Sequence, residues 1–401
     1  MKLKNVFIIA ALVTAGVLPL ACERIFPDAP ADETLLDGPM EGLTHGEYQQ
    51  FNRGDFLFND LVFTPETGLG PIFVATSCGA CHPGDGKGHP FTSFIRFGQD
   101  DGTGNKYLDQ GAPQLQHRAI PGYEPEKLPE GAPHTTLIAP AVTGLGFLDL
   151  VPDEDLLAMA EANKSNEDGV RGRPNWINLP SYVKPRANAI QDDQGRYIGR
   201  FGFKGSVYDL LQQTVDALNQ DIGITSIYNP VDPYSLLEVE PEIAATDIHD
   251  MVFYLKTLKA PIQRNVNDSQ IQEGKAIFAQ IGCESCHKET LKTGKSPIAA
   301  LSEKEFHPYT DLLLHDLGPE MDDGYTEGSA RTSEWRTAPL WGIGLAKDSQ
   351  GGNMYLMHDG RAKNIDEAIM LHGGEGDYSR QNYSNLPEQE KQKLIRFLES
   401  L

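Results

Sequence analysis

The chain has 401 residues, about two to four times the length of a typical domain, so two domains plus extensions are expected. Hydrophobic residues make up 39% and aromatic residues 8% of the chain, a balance that excludes both intrinsic disorder and a protein with many membrane spans. The formal net charge of -23 repels phosphate backbones and therefore argues against nucleic-acid binding.

The first residues have the pattern of an export signal. Residues 1–4 contain two lysines and residues 6–20 are apolar, and this apolar run is shorter than a membrane span requires. We therefore predict a signal peptide over residues 1–21.

Cys22 follows the string Leu-Pro-Leu-Ala, which resembles a bacterial lipobox. In such a protein the signal is cleaved before the cysteine, whose thiol then carries lipid. Pro19 departs from the usual pattern, so cleavage at another bond is the alternative. Residues 22–43 are rich in Pro, Asp and Gly and are predicted to be a tether. We expect a periplasmic or cell-envelope protein that contacts the membrane only through a lipid anchor on Cys22.

The other four cysteines belong to two C-x-x-C-H strings, at residues 78–82 and 283–287. This spacing is typical of haem c attachment, because two thiols one helical turn apart can add to the two vinyl groups of one porphyrin. The histidine that follows is the proximal ligand of the iron. Zinc knuckles, redox dithiols and disulfides also use C-x-x-C pairs, but a histidine directly after both pairs is improbable by chance.

The two strings therefore predict two covalently attached haem c groups. The predicted attachment residues and proximal ligands are Cys78, Cys81 and His82 in the first string, and Cys283, Cys286 and His287 in the second.

The chain contains the same arrangement twice. A helical apolar pattern over residues 269–278, with Ser269 as its cap, leads directly to the second string. Ahead of the first string the same spacing recurs, with Gly54, Leu57 and Phe58 matching Gly274, Ile277 and Phe278. An amphipathic helix closes each unit, at residues 251–258 and 394–401.

A helix, a C-x-x-C-H string, loops and a closing helix make up the plan of a cytochrome c. We therefore predict a mainly α fold with two cytochrome c-like domains, the N-terminal one over residues 44–262 and the C-terminal one over 263–401. The first domain carries a long, turn-rich insertion between Gly84 and Pro140.

Further strings resemble the dihaem oxidoreductase family, which is similar to bacterial dihaem cytochrome c peroxidases and to the methylamine dehydrogenase maturation enzyme. These strings are residues 144–149, 199–204, 221–225, 336–342, 358–361 and 366–369. The likeness runs from about Gly46 to the C-terminus. A dithiol mechanism, which a common label of the family suggests, has no spare thiol pair to support it.

The resemblance implies a sixth ligand for the second iron. The peroxidases place a Met fourteen residues after the histidine of the H-D-G string, and here that count from His358 reaches His372. Neutral imidazole is a strong iron ligand, so His372 is the predicted ligand and a low reduction potential is expected. The alternatives are a thioether ligand or a surface role for His372, and the available thioethers belong to Met354, Met357 and Met370.

The first iron is predicted to have an open face. Superposing the two units places Ala217, which cannot bind iron, where the second unit has His372. In the peroxidases this neighbourhood holds a Gln and a Glu, which correspond to Gln213 and Asp221. A carboxylate can move a proton between the two oxygens of peroxide, and an amide can orient it. A solvated helix face is the alternative for both residues, and Asp149 is a second acid candidate.

Other positions remain open at this stage. The peroxidases place a Trp at the position of Phe203, and its replacement here could be Trp176, Trp335 or Trp341, although a core role is commoner for each. Haem propionates or local salt bridges could engage Arg200, His358 and Arg361. A distal ligand for the first iron in a resting state could come from His89, His117 or His134. The family also allows a calcium ion, bound by backbone carbonyls.

These observations predict a peroxidase-like oxidoreductase. The N-terminal haem would react with peroxide or another small oxidant, and the C-terminal haem would relay electrons from a small redox-protein donor. The alternative is a dihaem electron-transfer cytochrome with both irons closed to small ligands. A third possibility directs the same oxidising power at a protein substrate.

Overall fold

The structure is a computed structural model that describes residues 30–99 and 104–401. The predicted signal peptide and Cys22 lie outside the described residues. The chain divides into a segment that ends at Leu35 and a compact unit, residues 36–401, that contains both C-x-x-C-H strings. In the described part of the chain, no helix is long and apolar enough to cross a membrane.

Helices provide most of the regular structure. In chain order they are α1 (His45–Asp55), α2 (Leu145–Asp149), α3 (Asp153–Asn163), α4 (Leu210–Ala217), α5 (Ala245–Thr257), α6 (Ser269–Gln280), α7 (Ala346–Ser349), α8 (Ile365–Met370), α9 (Asp377–Ser384) and α10 (Glu388–Ser400). Two short π-helical turns, Phe56–Asp60 and Leu218–Ile222, extend α1 and α4. The predicted helix-rich fold is confirmed.

The strands are short and form two-stranded antiparallel sheets. The pairs are β1 (Ile72–Phe73) with β3 (Arg118–Ala119), β2 (Phe94–Phe97) with β4 (His134–Leu137), β5 (Trp176–Ile177) with β6 (Tyr197–Ile198), β7 (Leu291–Lys292) with β8 (Glu305–Phe306), and β9 (Leu314–Asp316) with β10 (Glu334–Arg336). Because β2, β3 and β4 lie between Gly84 and Pro140, the predicted insertion is built from short strands as well as turns.

Each unit is organised by one pair of crossing helices, α1 with α5 and α6 with α10. A glycine lies at each crossing. A Cβ on Gly54 would overlap the carbonyl oxygen of Asp250, and a Cβ on Gly274 would overlap that of Lys393. The closest approach of each helix pair therefore depends on a residue without a side chain, and the glycines matched by spacing occupy equivalent places.

The N-cap of the helix before the second string lies one residue earlier than predicted. Asp268, rather than Ser269, is the N-cap, and its carboxylate accepts a hydrogen bond from the backbone N–H of Gln270 at 2.8 Å. Ser269 is the first helical residue. The reason is general: both Asp and Ser are good caps, and the backbone before the helix is extended at Asp268.

Two main hydrophobic cores surround the helix pairs. The first contains Phe51, Phe58 and Leu255, and the second contains Phe278 and Phe397. Four side chains that follow the second string pack into the first core; they are Leu291, Phe306, Leu312 and Leu313. The two halves of the chain are therefore joined by apolar contacts, and the division at residues 262 and 263 stays a prediction.

Candidate functional site

A single cavity of about 490 Å³ receives both C-x-x-C-H strings. All four cysteines of the strings line it as free thiols, together with the three predicted iron ligands: Cys78, Cys81, His82, Cys283, Cys286, His287 and His372. Because no disulfide joins the cysteines of either string, all four thiols are available to attach a porphyrin. The predicted haem residues are thus brought together around one interior space.

His82 is held in the form that can bind a metal. Its Nδ1 lies 2.8 Å from the carbonyl oxygen of Pro140. A carbonyl only accepts hydrogen bonds, so Nδ1 carries the proton and Nε2 keeps its lone pair. Burial lowers the pKa of His82 to about 4, which keeps the ring neutral. The ring of Phe58 packs beside it, with centroids 5.7 Å apart.

The second string shows the same device on two histidines. The Nδ1 of His287 lies 2.9 Å from the carbonyl oxygen of Tyr309, and that of His372 lies 2.7 Å from the carbonyl oxygen of Ala368. Both rings therefore keep a free Nε2. Burial lowers the pKa of both, to about 4 for His287.

The spacing of His287 and His372 fits one iron between them. Their ring centroids lie 6.4 Å apart. A metal–nitrogen bond of about 2.0–2.1 Å, plus about 1.1 Å from nitrogen to ring centre, would separate two opposed imidazole centroids by roughly 6.3 Å. The residues present therefore fit a haem with two axial histidines.

The alternative thioether ligands are placed less well. Met370 is 41% exposed and does not line the cavity, and neither does Met354. Met357 lines the cavity, and its carbonyl oxygen accepts a hydrogen bond from Lys87. The observation in favour of His372 is its ring spacing from His287, which fits one iron.

The predicted catalytic residues Gln213 and Asp221 line the same cavity, as does Ala217. Gln213 lies on α4, which Asp209 caps, and Asp221 lies on the π-helical turn that follows. The carboxylate of Asp221 accepts a hydrogen bond from the amide of Gln114. Burial raises the pKa of Asp221 to about 7, and this places its proton affinity near neutral pH.

The sequence reasoning missed Arg96 and Gln114, which connect Asp221 to the second half of the chain. Nη1 of Arg96 donates to the side-chain oxygen of Gln114 at 3.2 Å and to that of Gln220 at 3.1 Å. Its Nε donates to Glu327 at 2.7 Å. Arg96 lies on β2 within the insertion, and no spacing in the sequence relates it to Asp221.

An aromatic cluster occupies the cavity wall near both strings. The rings of Trp335 and His358 stack with centroids 3.8 Å apart and planes 10° apart. Nζ of Lys204 lies 3.8 Å from the centroid of Trp335, and Phe203 approaches the His358 ring edge-on at 6.4 Å. Trp341 also lines the cavity, whereas Trp176 lies on β5 and does not.

Several other candidates take part in local ion pairs. Asp149 is buried and does not line the cavity; its carboxylate bonds to Arg186 at 2.5 Å. Arg361 pairs with Asp359 at 2.7 Å, outside the cavity. Arg200 lines the cavity, but its Nη2 binds Asp153 at 2.6 Å. The salt-bridge interpretation therefore fits the contacts of Arg200 and Arg361, and the second acid candidate, Asp149, is also engaged in an ion pair.

The three histidines considered as resting-state ligands do not line the cavity. His89 accepts a hydrogen bond from the N–H of Phe91, and His117 and His134 are exposed. In the described part of the chain, no group of three or more His, Cys, Asp or Glu side chains is arranged to hold a metal ion. A calcium ion held by backbone carbonyls stays a prediction.

Comparison with known proteins identifies the class. A family model described as "Di-haem oxidoreductase, putative peroxidase" matches residues 136–401. This match covers well over half of the chain, and the chain therefore belongs to the di-haem oxidoreductase family. As a member it is an oxidoreductase with haem cofactors. No curated protein matches the chain.

Two solved structures are similar over nearly the whole length. One is hydrazine synthase of Kuenenia stuttgartiensis pressurised with xenon, with 13% identity, a TM-score of 0.41, and coverage of 94% of this chain and 95% of that one. The other is a MauG-like protein associated with microbial copper homeostasis, with 14% identity, a TM-score of 0.42, and the same coverage of both chains. At these values the likeness carries no argument about function.

Proposed function

We propose that the protein is an exported, peroxidase-like dihaem c oxidoreductase in which the two centres have different tasks. The first centre, at Cys78, Cys81 and His82, reacts with peroxide. The second centre, at His287 and His372, relays electrons to it. The observation that supports this proposal is the asymmetry of the cavity: Ala217 and Asp221 in the first unit stand against His372 in the second.

The reduction of peroxide to two waters consumes two electrons and two protons. When bound, haem supplies the electrons and an iron site open to peroxide. Asp221 is the group that moves the protons: it lines the cavity, and the raised pKa of about 7 lets it accept and return a proton near neutral pH. Gln114 holds the carboxylate by a hydrogen bond, which fixes its direction.

The second centre is arranged for electron transfer rather than for binding a substrate. The rings of His287 and His372 lie at a spacing that fits one iron, so these two histidines would hold the second haem and leave it no open site for a substrate. Their Nδ1 atoms are fixed by carbonyl oxygens, which limits rearrangement when the charge on the iron changes. A small redox protein is the proposed donor to this centre.

Asp221→Asn tests the proposal. The amide is nearly isosteric but cannot act as a base, so peroxide-driven oxidation of a reduced cytochrome or dye should slow on the order of 10²–10⁴-fold. Gln213→Leu should cost less, because an amide orients peroxide without transferring a proton. The surface variant Asp192→Asn is the control. Covalent haem content and the visible spectrum should be the same in all three variants.

The outcome that would overturn the proposal is a first centre that neither binds cyanide nor reacts with peroxide in any oxidation state. That result would favour the electron-transfer cytochrome instead.

Export and lipid attachment to Cys22 belong to the same proposal. Haem c is attached to exported chains, so the two strings support the signal at residues 1–21. In cells fed a labelled fatty acid, the protein should take up label and sediment with membranes, and Cys22→Ala should abolish both. Wild-type protein that carries neither label nor the mass of a lipid would contradict the lipid anchor.

A further inference from the structure

His315 lies beside the second string and has no part in the function described above. It is on β9, it is 3% exposed, and it lines the cavity. Its Nε2 lies 2.9 Å from a carboxylate oxygen of Asp311, and its Nδ1 lies 2.8 Å from one of Glu375. Nδ1 also lies 3.5 Å from Sγ of Cys286, one of the two cysteines predicted to hold the second haem.

The contacts fix the charge of the ring. Ionised carboxylates only accept hydrogen bonds, so a ring that bonds to a carboxylate at each nitrogen must carry both protons. Both carboxylates are themselves held as acceptors. The N–H of Leu313 donates to Asp311 at 3.0 Å, and the N–H of Arg171 donates to Glu375 at 2.7 Å. His315 is therefore a buried imidazolium.

The electrostatic balance agrees with this assignment. Burial is the largest single influence and by itself lowers the pKa of His315, but the charges and hydrogen bonds of Asp311 and Cys286 together outweigh burial, and the pKa lies well above its ordinary value. The ring also has little room to move, because a Cβ on Gly172 would overlap it. Arg336 is a second cation that Asp311 attracts. Its guanidinium donates hydrogen bonds to the carbonyl oxygens of Gly202 and Thr337 rather than to the two carboxylates, which are thus left to His315.

We propose that His315 is a fixed positive charge that offsets Asp311 and Glu375, and so raises the reduction potential of the second haem above the value that the two carboxylates alone would set. The ferric form of a haem carries one more positive charge than the ferrous form, so a cation held in a poorly polarisable interior favours the reduced state. An N–H directed at Sγ of Cys286 also withdraws electron density at the point of attachment. The proposal rests on haem attachment at the second string but not on peroxide chemistry.

The first string has a different environment. Among the described residues, its corresponding cysteine, Cys81, has the carbonyl oxygen of Thr92 as a hydrogen-bonding partner, at 4.0 Å. The cation that acts on Cys81, Arg118, is exposed, so solvent screens its charge. The buried charge of His315 therefore has no buried counterpart at Cys81 among the residues that the structure describes. It opposes the low potential expected from two histidine ligands, and so it keeps the relay reducible by a protein donor.

The test is a spectroelectrochemical titration of the dihaem protein. His315→Gln removes the charge but keeps a hydrogen-bonding side chain, and it should lower the midpoint potential of the low-spin couple while the other couple stays in place. The low-spin spectrum should be unchanged, because His287 and His372 are untouched. The matched control is His307→Gln, since His307 is an exposed ring that bonds to the Thr290 hydroxyl.

Glu375→Gln should shift the midpoint potential in the opposite direction. It removes a negative charge next to the same ring, so the same couple should move to a higher potential. A disturbance of the fold would not reverse sign between the two variants. If His315→Gln fails to fold, Glu375→Gln decides alone: an upward shift supports the proposal.

An unchanged or raised potential in His315→Gln, or an unchanged or lowered one in Glu375→Gln, would overturn the proposal. Haem staining after denaturing electrophoresis reports attachment separately. If the unaltered protein carries both haems but does not turn over peroxide, the proposed function fails, whereas the shifts in potential still test the role of His315.

Discussion

The two cysteine–histidine centres are built alike on their proximal sides and differently on their distal sides. In each, a histidine Nδ1 is fixed by a carbonyl oxygen, of Pro140 or of Tyr309, and a phenylalanine packs beside the ring. The ring of His287 lies near another histidine, His372, whereas the cavity lining of the first unit includes Ala217 and Asp221. Under the proposed function, this difference in a few residues would give two similarly held irons different reactivity.

Of the changes that test this comparison, removal of one haem attachment site should have the largest effect. Cys78→Ala with Cys81→Ala should abolish covalent haem at the first centre, which would halve the haem retained after acid–acetone extraction and eliminate peroxide turnover. The matched pair, Cys283→Ala with Cys286→Ala, should also halve the haem but leave the high-spin signal. Retention of both haems in either double variant would contradict the assignment.

Making the second centre like the first is the next test. His372→Ala removes the side chain opposite His287, so one low-spin signal should become high-spin and the centre should bind cyanide. The wild-type spectrum should lack the charge-transfer band of sulfur ligation. Met357→Leu is the control. If Met357→Leu changes the spectrum and His372→Ala does not, the sixth ligand is the thioether.

The pH dependence sharpens the comparison at the first centre. Burial raises the pKa of Asp221 to about 7, and the charge of Arg96 partly offsets the rise. Only the ionised carboxylate can accept a proton, so peroxide turnover should increase as pH rises through about 7, and Asp221→Asn should flatten the profile.

In Arg96→Gln the offsetting charge is gone, the pKa of Asp221 rises further, and the midpoint of the profile should move to higher pH. Arg196→Gln, which disrupts an ion pair with Asp192 on the surface, should leave the midpoint in place. A midpoint that moves equally in both variants would show that Arg96 does not act on Asp221.

The smallest expected effects concern the glycine at the helix crossing, a feature that the two units share. Gly54→Ala and Gly274→Ala each place a methyl group against a backbone carbonyl of the facing helix, so each should reduce the free energy of unfolding by about 1–3 kcal/mol. Chemical denaturation of the haem-loaded protein measures this. A large loss at one glycine with none at the other would mean that the two crossings are not equivalent.

Periodicity and spacing were enough to predict the entering and closing helices, because Gly54 and Gly274, like the closing helices, recur at matched positions in the chain; their crossing in pairs is a finding of the structure. The C-x-x-C-H strings are local, so His82 and His287 could be proposed as ligands from the sequence, and the family resemblance implied His372 by its count from His358. The ring spacing of 6.4 Å is compatible with that proposal, and the role of all three histidines as iron ligands stays a prediction.

The remaining parts of the site depend on contacts between distant segments. Arg96 bonds to Glu327 across 231 positions, and Glu375 bonds to His315 across 60. Neither pair leaves a periodic trace, since the segments that carry them are irregular loops and two-stranded ribbons whose register is set by tertiary packing. The same limit applies to the helix cap. Asp268 and Ser269 are adjacent and both are good capping residues, so the sequence alone does not decide which of them caps the helix.

The burial of the cysteines has a consequence for how the protein matures. In the folded chain, removal from water raises the pKa of Cys78, Cys81 and Cys283 to about 12. At neutral pH roughly one such thiol in 10⁵ is ionised, against about one in 30 for an ordinary cysteine, so the folded chain is a poor substrate for any reaction that needs a thiolate. For the export and haem attachment proposed above, this favours joining of the porphyrin to the chain before its helices close. Haem-free protein should accordingly react with iodoacetamide slowly when folded and rapidly in urea.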